Sequence, residues 1–532
     1  MSEKNPRRRK FASPVPDPAA PPPPVWVWSL LAISLVLRLW MLGDKPAHFD
    51  EGVNGWFLDR MFEKFAYNYD PENYHGPLHF YLAIPFVAAL GSTEVALRLL
   101  PVLFSVGTVW LLLRFHPLIG TMPSIIAAAI FAVSPGAMFY GRYGIHEAEL
   151  AFFVTLFGLS AMMLWSTGSG KWLLLLVASV AGAVATKETF FMNMLPLPMA
   201  AACVWALSRL TAQSGWALPP RVSGSWSWLF MGSIVVSALV FLEILYSGFG
   251  DYEGWGLSKF AQSYGEWSKT AEAGAGHIKP YFDLWGTPLN YYWVYLLWLY
   301  EWPVLIGVVM VVPFWRSVGG WARVVAVWGF GALLAYSLVP YKTPWCILSM
   351  LPPLCLAAGS GLWSATAALS APPWGRLAVA LALASTVLPR SILLNYRDYD
   401  LASEPYVYVQ THRGSSVLLD ELRAAERIDP RVVDLPASIS LGSYYPLPWW
   451  LDRYTQLEYS KEEAVPEASG KAWVLVPWSK RDEFLRKNSS GDWRIAKFRL
   501  RDAQEDVAAC LNAKVFPAPG EFIFPESSPV SR

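Results

Sequence analysis

Residues 25–42 read VWVWSLLAISLVLRLWML, an apolar run whose only charged residue is Arg38. A helix needs roughly 20 such residues to cross a bilayer. The run is too long for the apolar part of a secretory signal and lacks the small-residue cleavage site that ends one. We therefore predict that it is the first transmembrane helix of the chain.

The composition of the whole chain supports the same interpretation. Of its 532 residues, 54% are hydrophobic and 16% charged, and 28 are tryptophans. The net charge of +1 offers no basis for nucleic-acid binding. The four cysteines have no spacing typical of a metal site. We predict an α-helical polytopic membrane protein with a small soluble domain at its end.

The distribution of basic residues predicts the orientation. Residues 1–24 form a basic, proline-rich arm that we expect to be disordered and cytoplasmic, because Arg7, Arg8, Arg9 and Lys10 obey the positive-inside rule. The apolar piece 78–90 is short, so we interpret it as re-entrant or interfacial. This gives about eleven transmembrane helices within residues 25–396, and residues 397–532 then lie outside. A reporter fused after Asp400 should be extracellular.

The last part of the chain changes pattern. YVYVQ, RVVDL, AWVLVPW and WRIAKFRL are typical of strands, whereas SSVLLDELRAA, with a serine cap, and KRDEFLRK are typical of helices. We predict a small α/β domain over residues 397–532, outside the membrane.

Ionisable residues gather on the predicted outer side. HFDEGVNGWF, residues 48–57, carries Asp50 and Glu51 just after the first helix. Later outer segments add YHGPLHF, GRYGIHEAEL, ATKET and VPYKTPW, with His75, Arg142, Glu147, Lys187 and Lys342. Each of these residues also has a non-functional explanation. The acidic pair could lie in a solvated turn, and Glu147 could favour the N-terminus of a helix. Lys187 and Glu188 could form a local ion pair, and Arg38 could extend its charged end to the membrane surface. Their convergence on one side favours a functional site.

These residue types suit transfer of a group from a phosphate carrier. A carboxylate can accept the proton of an attacking hydroxyl, and lysine or arginine can neutralise a departing phosphate. A lipid-linked donor would keep its leaving group in the bilayer, so such a site must lie at the membrane face.

The series of motifs resembles the protein O-mannosyltransferase superfamily, also described as family-39-like glycosyltransferases. There, an arginine near the end of helix 1 precedes a Phe-Asp-Glu motif and a His-Pro-Pro-Leu motif, which here read HFDEG and HGPL. GRYGIHEAEL is similar to a later Arg-Tyr segment with an acidic residue. ATKETFF, YKTPW and PLPWW are similar to segments of a prokaryotic flippase-associated subgroup. The resemblance implies the C-type glycosyltransferase fold.

The resemblance also implies roles for single residues. Asp50 would be the catalytic base and Glu51 would help to hold donor or acceptor. The residues implied to bind the donor phosphate are Arg38, Arg142, Lys187, Lys342 and His75. Glu147 would line the cavity or, with Asp50, contact an optional divalent metal, Mg or Mn. The chain departs from the pattern at Gly76, in place of proline, and at Glu147, in place of aspartate.

The reaction so implied is inverting transfer of a sugar, a hexose or pentose, from a polyprenyl-phosphate donor to a protein, lipid or glycan acceptor. It would occur on the outer face of the cell's inner membrane. Two alternatives remain open. One is a non-catalytic, flippase-associated component that binds lipid-linked sugars. The other is an ion-coupled transporter, for which Glu243 and Glu301 are the acidic residues flanked by apolar sequence.

Overall fold

A computed structural model describes residues 20–64, 66–67, 69–210, 224–250, 254–273, 277, 283–284, 287–288, 292–462 and 464–516. The predicted N-terminal arm, with the four basic residues that orient the chain, lies almost entirely outside the described residues.

The protein is a multi-pass membrane protein. Among the described residues, seven helical segments are long and apolar enough to cross a bilayer: Glu94–Ile119, Glu147–Thr167, Phe190–Leu210, Trp228–Tyr246, Gly320–Leu338, Pro344–Ala368 and Pro373–Tyr396. Four shorter apolar helices accompany them: Pro24–Leu39, Leu78–Leu90, Thr121–Val133 and Gly170–Val184. By length and composition, the described residues thus provide seven candidate crossings, or eight with the bent pair described next. The count of eleven expected from the sequence requires three of the four shorter helices as well, and it stays a prediction.

One predicted crossing is broken rather than straight. Helices Tyr292–Tyr300 and Trp302–Val311 meet at Glu301 with a bend of 110°. The Glu301 carboxylate accepts hydrogen bonds from Ser134 Oγ at 2.8 Å and from the Gly136 amide at 2.7 Å. Glu301 is thus a buried cap for the short helix Pro135–Tyr140, and this local role explains an acidic residue among apolar neighbours without ion transport.

The helix Ile347–Ala365 occupies the centre of the bundle. Its membrane window is fully buried inside the protein, and its neighbours approach through small residues. A Cβ on Gly359 would lie 2.3 Å from the Pro123 carbonyl oxygen, and one on Gly361 would lie 2.0 Å from that of Gly307. Close backbone approach of this kind is typical of helix association in lipid, because burial of apolar surface provides no driving force there.

Two further helices lie outside the candidate spans. Phe49–Lys64 contains Asp50 and Glu51 in its first turn, so the acidic pair is helical and does not lie in a solvated turn. Gly256–Ala273 is amphipathic and packs near the segment Pro71–Asn73. Both lie on the side of the bundle that carries the cavity described below.

The tail contains a five-stranded sheet. Its strands are β1 (Ala437–Ser440), β2 (Leu457–Ser460), β3 (Trp473–Pro477), β4 (Trp493–Phe498) and β5 (Val507–Asn512). They are ordered β2-β1-β3-β5-β4, and only β5 runs against the others. Helices Ser416–Ile428 and Arg481–Lys487 complete the predicted α/β domain.

Several details of the tail differ from the prediction. YVYVQ is irregular and RVVDL is a 3-10 turn, Pro430–Asp434, rather than a strand. The predicted serine cap, Ser415, makes no capping hydrogen bond through its side chain. The strands β1, β2 and β5 went unpredicted. β1 and β2 have only four residues each, which leaves little alternation to detect.

The packing also moves the predicted boundary between the domains. Tyr399, Tyr406 and Val407 belong to the hydrophobic core of the membrane domain, whereas the core of the tail begins at Leu418. Tyr406 is stacked on Tyr300 with 4.0 Å between ring centroids. The membrane domain therefore extends to about residue 410, beyond the predicted end at 396.

Candidate active site

A cavity of about 410 Å³ lies where the membrane domain meets the tail. The predicted site residues that line it are Asp50, His75 and Lys187. Other lining residues come from the TKET and YKTPW segments, from the segment before residue 292 and from the region after residue 400, and they include Glu188, His277, Tyr341, Trp345, Val409 and Ser443. Segments distant in sequence thus converge on one cavity, although Glu147, which was expected to line it, is not among the lining residues.

Asp50 opens the helix Phe49–Lys64 and is held by its neighbour His48. The amide of Asp50 donates to His48 Nδ1 at 3.1 Å, while His48 Nε2 donates to the Tyr408 carbonyl at 2.8 Å. Burial lowers the pKa of His48, which keeps the ring neutral in this tautomer. The Asp50 side chain remains 34% exposed. It is therefore a carboxylate that is fixed in place and accessible from the cavity.

Glu51 has a different environment, although it is the next residue. Its carboxylate accepts two hydrogen bonds from Arg98, at 2.8 and 2.7 Å, and one each from the amides of His48 at 2.8 Å and Gly144 at 2.7 Å. Glu51 and Arg98 are fully buried. Burial opposes ionisation of Glu51, but the paired guanidinium lowers its pKa to about 2.

The geometry therefore corrects the implied role of Glu51. All of its contacts are internal, and it does not line the cavity. Arg98 also donates to the carbonyls of Leu42 and Lys45 at 2.7 and 2.8 Å. The Glu51–Arg98 pair thus connects the segment that follows the first helix to the GRYG segment. Its role is to position Asp50, because neither side chain lines the cavity.

A buried ion pair and a histidine–carboxylate hydrogen bond follow one another at the TKET segment. Lys187 is paired with Glu147, and His75 Nδ1 donates to Glu188 at 3.0 Å. Burial disfavours the charge on Lys187, yet Glu147 raises its pKa well above the usual value. Burial likewise opposes ionisation of Glu188, but His75 lowers its pKa. The cavity thus has a permanent cation beside a histidine that is itself held by a carboxylate.

The backbone joins HGPL to TKET directly. The amide of Gly76 donates to the Thr186 carbonyl at 3.0 Å, and that of Leu78 donates to the Ala185 carbonyl at 2.9 Å. A Cβ on Gly76 would lie 2.1 Å from the Ala185 oxygen. The departure from the family pattern at this position therefore has a local cause: proline would lack the bonded N–H, and any side chain would collide.

Arg38 and Arg142 do not reach the cavity. Arg38 is fully buried and donates to Ser105 Oγ at 2.8 Å, to Ser34 Oγ at 2.8 Å and to the Ala132 carbonyl at 3.0 Å. Arg142 donates to the Met41 carbonyl at 3.0 Å and to Trp40 at 2.6 Å. Their positions give both a structural role, contrary to the phosphate contact that the resemblance implied.

Lys342 is also turned away. Its ammonium group bonds the carbonyls of Val339 and Ser337, one turn back, and it does not line the cavity. Burial lowers its pKa to about 8. The YKTPW segment instead contributes the rings of Tyr341 and Trp345 to the cavity wall.

The donor set does not fit a divalent metal. Over the part of the chain that the structure describes, no three histidine, cysteine, aspartate or glutamate side chains come together in a way that would hold an ion. The carboxylate of Glu147, the predicted partner of Asp50 in metal binding, is engaged by Lys187. We derive no step through a metal.

Sequence reasoning missed Arg501. This side chain is only 3% exposed and lies over the Phe49 ring, 5.2 Å from its centroid. Burial lowers its pKa to about 10, and the charge of Asp50 opposes that change. Arg501 follows a predicted strand in a tail rich in charges, so no local pattern distinguished it from a solvated surface arginine.

Comparison with known proteins agrees with the resemblance. Residues 74–220 match the model of a family described as dolichyl-phosphate-mannose-protein mannosyltransferase. The matched range contains His75, Glu147 and Lys187 and begins after Asp50. No curated protein matches the chain.

Solved structures show the same fold. The chain is similar to the crystal structures of ArnT from Cupriavidus metallidurans bound to undecaprenyl phosphate and in the apo state, with TM-scores of 0.56 and 0.54. Sequence identity is 14% in both cases, and the alignments cover 91% of this chain and 98% of the other. The predicted C-type fold with a small C-terminal domain is confirmed.

Proposed function

We propose that this chain, a relative of the dolichyl-phosphate-mannose-protein mannosyltransferase family by its residues 74–220, is a membrane glycosyltransferase. It moves a sugar from a polyprenyl-phosphate donor to an acceptor hydroxyl. The observation that carries this proposal is one cavity in which an accessible carboxylate, Asp50, and a buried cation, Lys187, both line the wall. Support comes also from the fold shared with ArnT, which was crystallised with undecaprenyl phosphate.

The reaction is a single displacement at the anomeric carbon. The acceptor oxygen forms a bond to that carbon and gives its proton to the Asp50 carboxylate. The bond from the carbon to the phosphate oxygen breaks, and polyprenyl phosphate leaves with the electron pair. The configuration inverts because attack and departure occur on opposite faces.

The cation side of the cavity serves the leaving group. Lys187 carries a full charge because Glu147 stabilises it, and a dianionic phosphate gains from such a preorganised cation. His75, held by Glu188, lies beside it as a hydrogen-bond donor or acceptor. Aromatic rings of Tyr341 and Trp345 offer flat apolar surface for a sugar ring.

The location of the reaction is part of the proposal and is supported by the basic residues near the N-terminus. The protein lies in the inner membrane with its N-terminus in the cytoplasm, and the cavity and the tail face outward. The donor is then a lipid whose phosphate sits at the outer surface and whose sugar, a hexose or pentose, projects into the cavity. The acceptor is a hydroxyl of a protein, lipid or glycan.

The deciding experiment compares Asp50→Asn with the wild type. Purified protein is incubated with a panel of polyprenyl-phosphate sugars, with water as the acceptor that takes the sugar, and release of polyprenyl phosphate is measured. A lost general base lowers the rate by about 10²–10⁴, while thermal stability and donor binding stay unchanged. Asp44→Asn, the same change at an exposed residue outside the cavity, is the matched control and should keep full activity.

Two results would contradict the proposal. Full activity of Asp50→Asn would remove the base. Failure of the wild type to release polyprenyl phosphate from any donor, with donor binding intact, would favour the non-catalytic lipid-linked-sugar binder.

A further inference from the structure

A second crevice, of about 350 Å³, opens at one edge of the tail sheet. The residues that line it follow the ends of β1, β3 and β4 or precede β5: Leu441, Gly442, Ser443, Pro477, Gln504 and Glu505. Since β1, β3 and β4 are parallel and β5 runs against them, all of these positions lie at the same sheet edge. The crevice is thus formed at the carboxyl ends of the parallel strands.

The order of the strands makes this edge a natural ligand site. From β1 the chain continues to β2 on one side, and from β3 it continues to β4 on the other, past β5. The connections therefore diverge at the gap between β1 and β3. In open α/β sheets, ligands bind in the crevice outside the carboxyl ends of the strands where such connections diverge.

The crevice adjoins the active-site cavity. Ser443 lines both. Arg501 holds this junction: its Nη1 donates to the carbonyl and the hydroxyl oxygen of Ser443, both at 3.2 Å, and to Gln504 Oε1 at 3.1 Å. The same guanidinium lies over Phe49, next to Asp50. The crevice and the cavity that contains Asp50 therefore meet at Ser443.

We propose that the crevice is the acceptor subsite and that the acceptor is a neutral saccharide. This inference rests on the proposed glycosyl transfer and deepens it. A saccharide bound along the β1–β3 edge would pass one hydroxyl over Ser443 to Asp50, while the donor fills the membrane side of the cavity.

The chemistry of the crevice favours this ligand class. Its polar groups are a hydroxyl, an amide and a carboxylate, from Ser443, Gln504 and Glu505. Arg501 uses the oxygens of Ser443 and Gln504, so the serine O–H and the glutamine NH₂ remain as donors, with no hydrogen bond recorded for that NH₂ among the described residues. Glu505 accepts hydrogen bonds from the amide and the hydroxyl of Ser479, the latter at 3.1 Å, and its fixed negative charge repels anions. Sugar hydroxyls both donate and accept, and Leu441 and Pro477 give the apolar floor that a sugar ring can cover.

The test uses the full-length protein in detergent and the variant Gln504→Trp, which fills the crevice with an indole. Ser490→Trp is the matched control, because Ser490 is exposed just before β4, at the opposite sheet edge. Fluorescently labelled protein is applied to a panel of neutral oligosaccharides, of acidic oligosaccharides and of unglycosylated peptides. Binding of polyprenyl phosphate and its release from the donor by hydrolysis, with water in place of the acceptor hydroxyl, are measured separately.

We expect the wild type and Ser490→Trp to bind neutral oligosaccharides, and Gln504→Trp to bind them at least tenfold more weakly with an unchanged unfolding midpoint and unchanged binding of polyprenyl phosphate. No binding to the neutral panel, equal binding by Gln504→Trp, or preference for peptides or acidic glycans would each overturn the proposal. Because binding is read without catalysis, loss of donor turnover in the wild type would reject the proposed function while the crevice is still judged on its own.

Discussion

Asp50 and Glu51 are adjacent, yet the structure predicts opposite consequences of neutralising them. Glu51→Gln should unfold the protein more readily, because it removes the charge that faces the buried Arg98 and replaces two acceptor oxygens by one oxygen and one NH₂. Asp50→Asn should leave stability unchanged, because its carboxylate is exposed to the cavity.

The magnitude for Glu51 follows from two independent routes. Breaking a fully buried ion pair at one partner costs about 3–5 kcal/mol. The pKa of Glu51 falls from 4.5 to about 2 in the folded protein, and at about 1.4 kcal/mol per unit this corresponds to about 3 kcal/mol. The agreement places the expected loss for Glu51→Gln at about 3 kcal/mol or slightly more.

The assay is thermal or denaturant unfolding of the purified protein, with Asp50→Asn as the matched control. The double variant Glu51→Gln/Arg98→Met closes a mutant cycle. It should recover part of the loss, since an uncharged side chain no longer leaves a buried guanidinium without a partner. The depressed pKa also sets a pH dependence: the contribution of Glu51 is complete above about pH 4.5 and is lost as pH falls through about 2.

Three outcomes would refute this reasoning. They are an unfolding midpoint of Glu51→Gln equal to that of the wild type, a double variant as unstable as the sum of the single variants, and a stable but inactive Glu51→Gln. A stable but inactive Glu51→Gln would indicate that Glu51 takes a direct part in the reaction.

The remaining predictions concern other parts of the molecule. Gly76→Ala should destabilise by about 1–3 kcal/mol, because the new Cβ meets a backbone oxygen at 2.1 Å; a chemical melt measures this. Trp449→Ala should cost about 3–5 kcal/mol and release the tail from Ser92, which limited proteolysis would detect. Lys187→Met should weaken binding of polyprenyl phosphate at least tenfold in a titration. Ser490→Cys should react with a membrane-impermeant maleimide added to intact cells if the tail faces outward.

Much of the fold was predictable because long apolar runs leave few alternatives. In lipid every backbone group must be bonded internally, so an apolar run of sufficient length becomes a helix. The break at Glu301 has a signal in the sequence that the prediction did not use, because Pro303 lies in the first turn of the second helix and disfavours a helix that continues through it. The short strands β1 and β2 were not predicted because four residues are too few to show an alternation of polar and apolar side chains.

The site was predictable to the level of segments rather than of side chains. Motif order placed HFDEG, HGPL and TKET around one cavity, where Asp50, His75 and Lys187 lie. The same motifs did not distinguish residues that line the cavity from buried residues that hold its wall in place. Glu51 and Arg142, which are buried, lie in the same short motifs as the other predicted site residues. Only contacts with distant partners such as Arg98 distinguish a buried clamp from a reactive group.

The burial of Tyr406 among the membrane helices has a consequence for biogenesis. The Tyr140 hydroxyl donates to the Tyr406 carbonyl at 2.7 Å, and Tyr300 stacks on its ring. A chain made from its N-terminus contains the membrane helices before it contains this segment, so the core of the membrane domain is completed only when Tyr406 has been added. A chain that stops near residue 400 would lack this packing, and we expect it to be degraded faster in cells than the full-length chain.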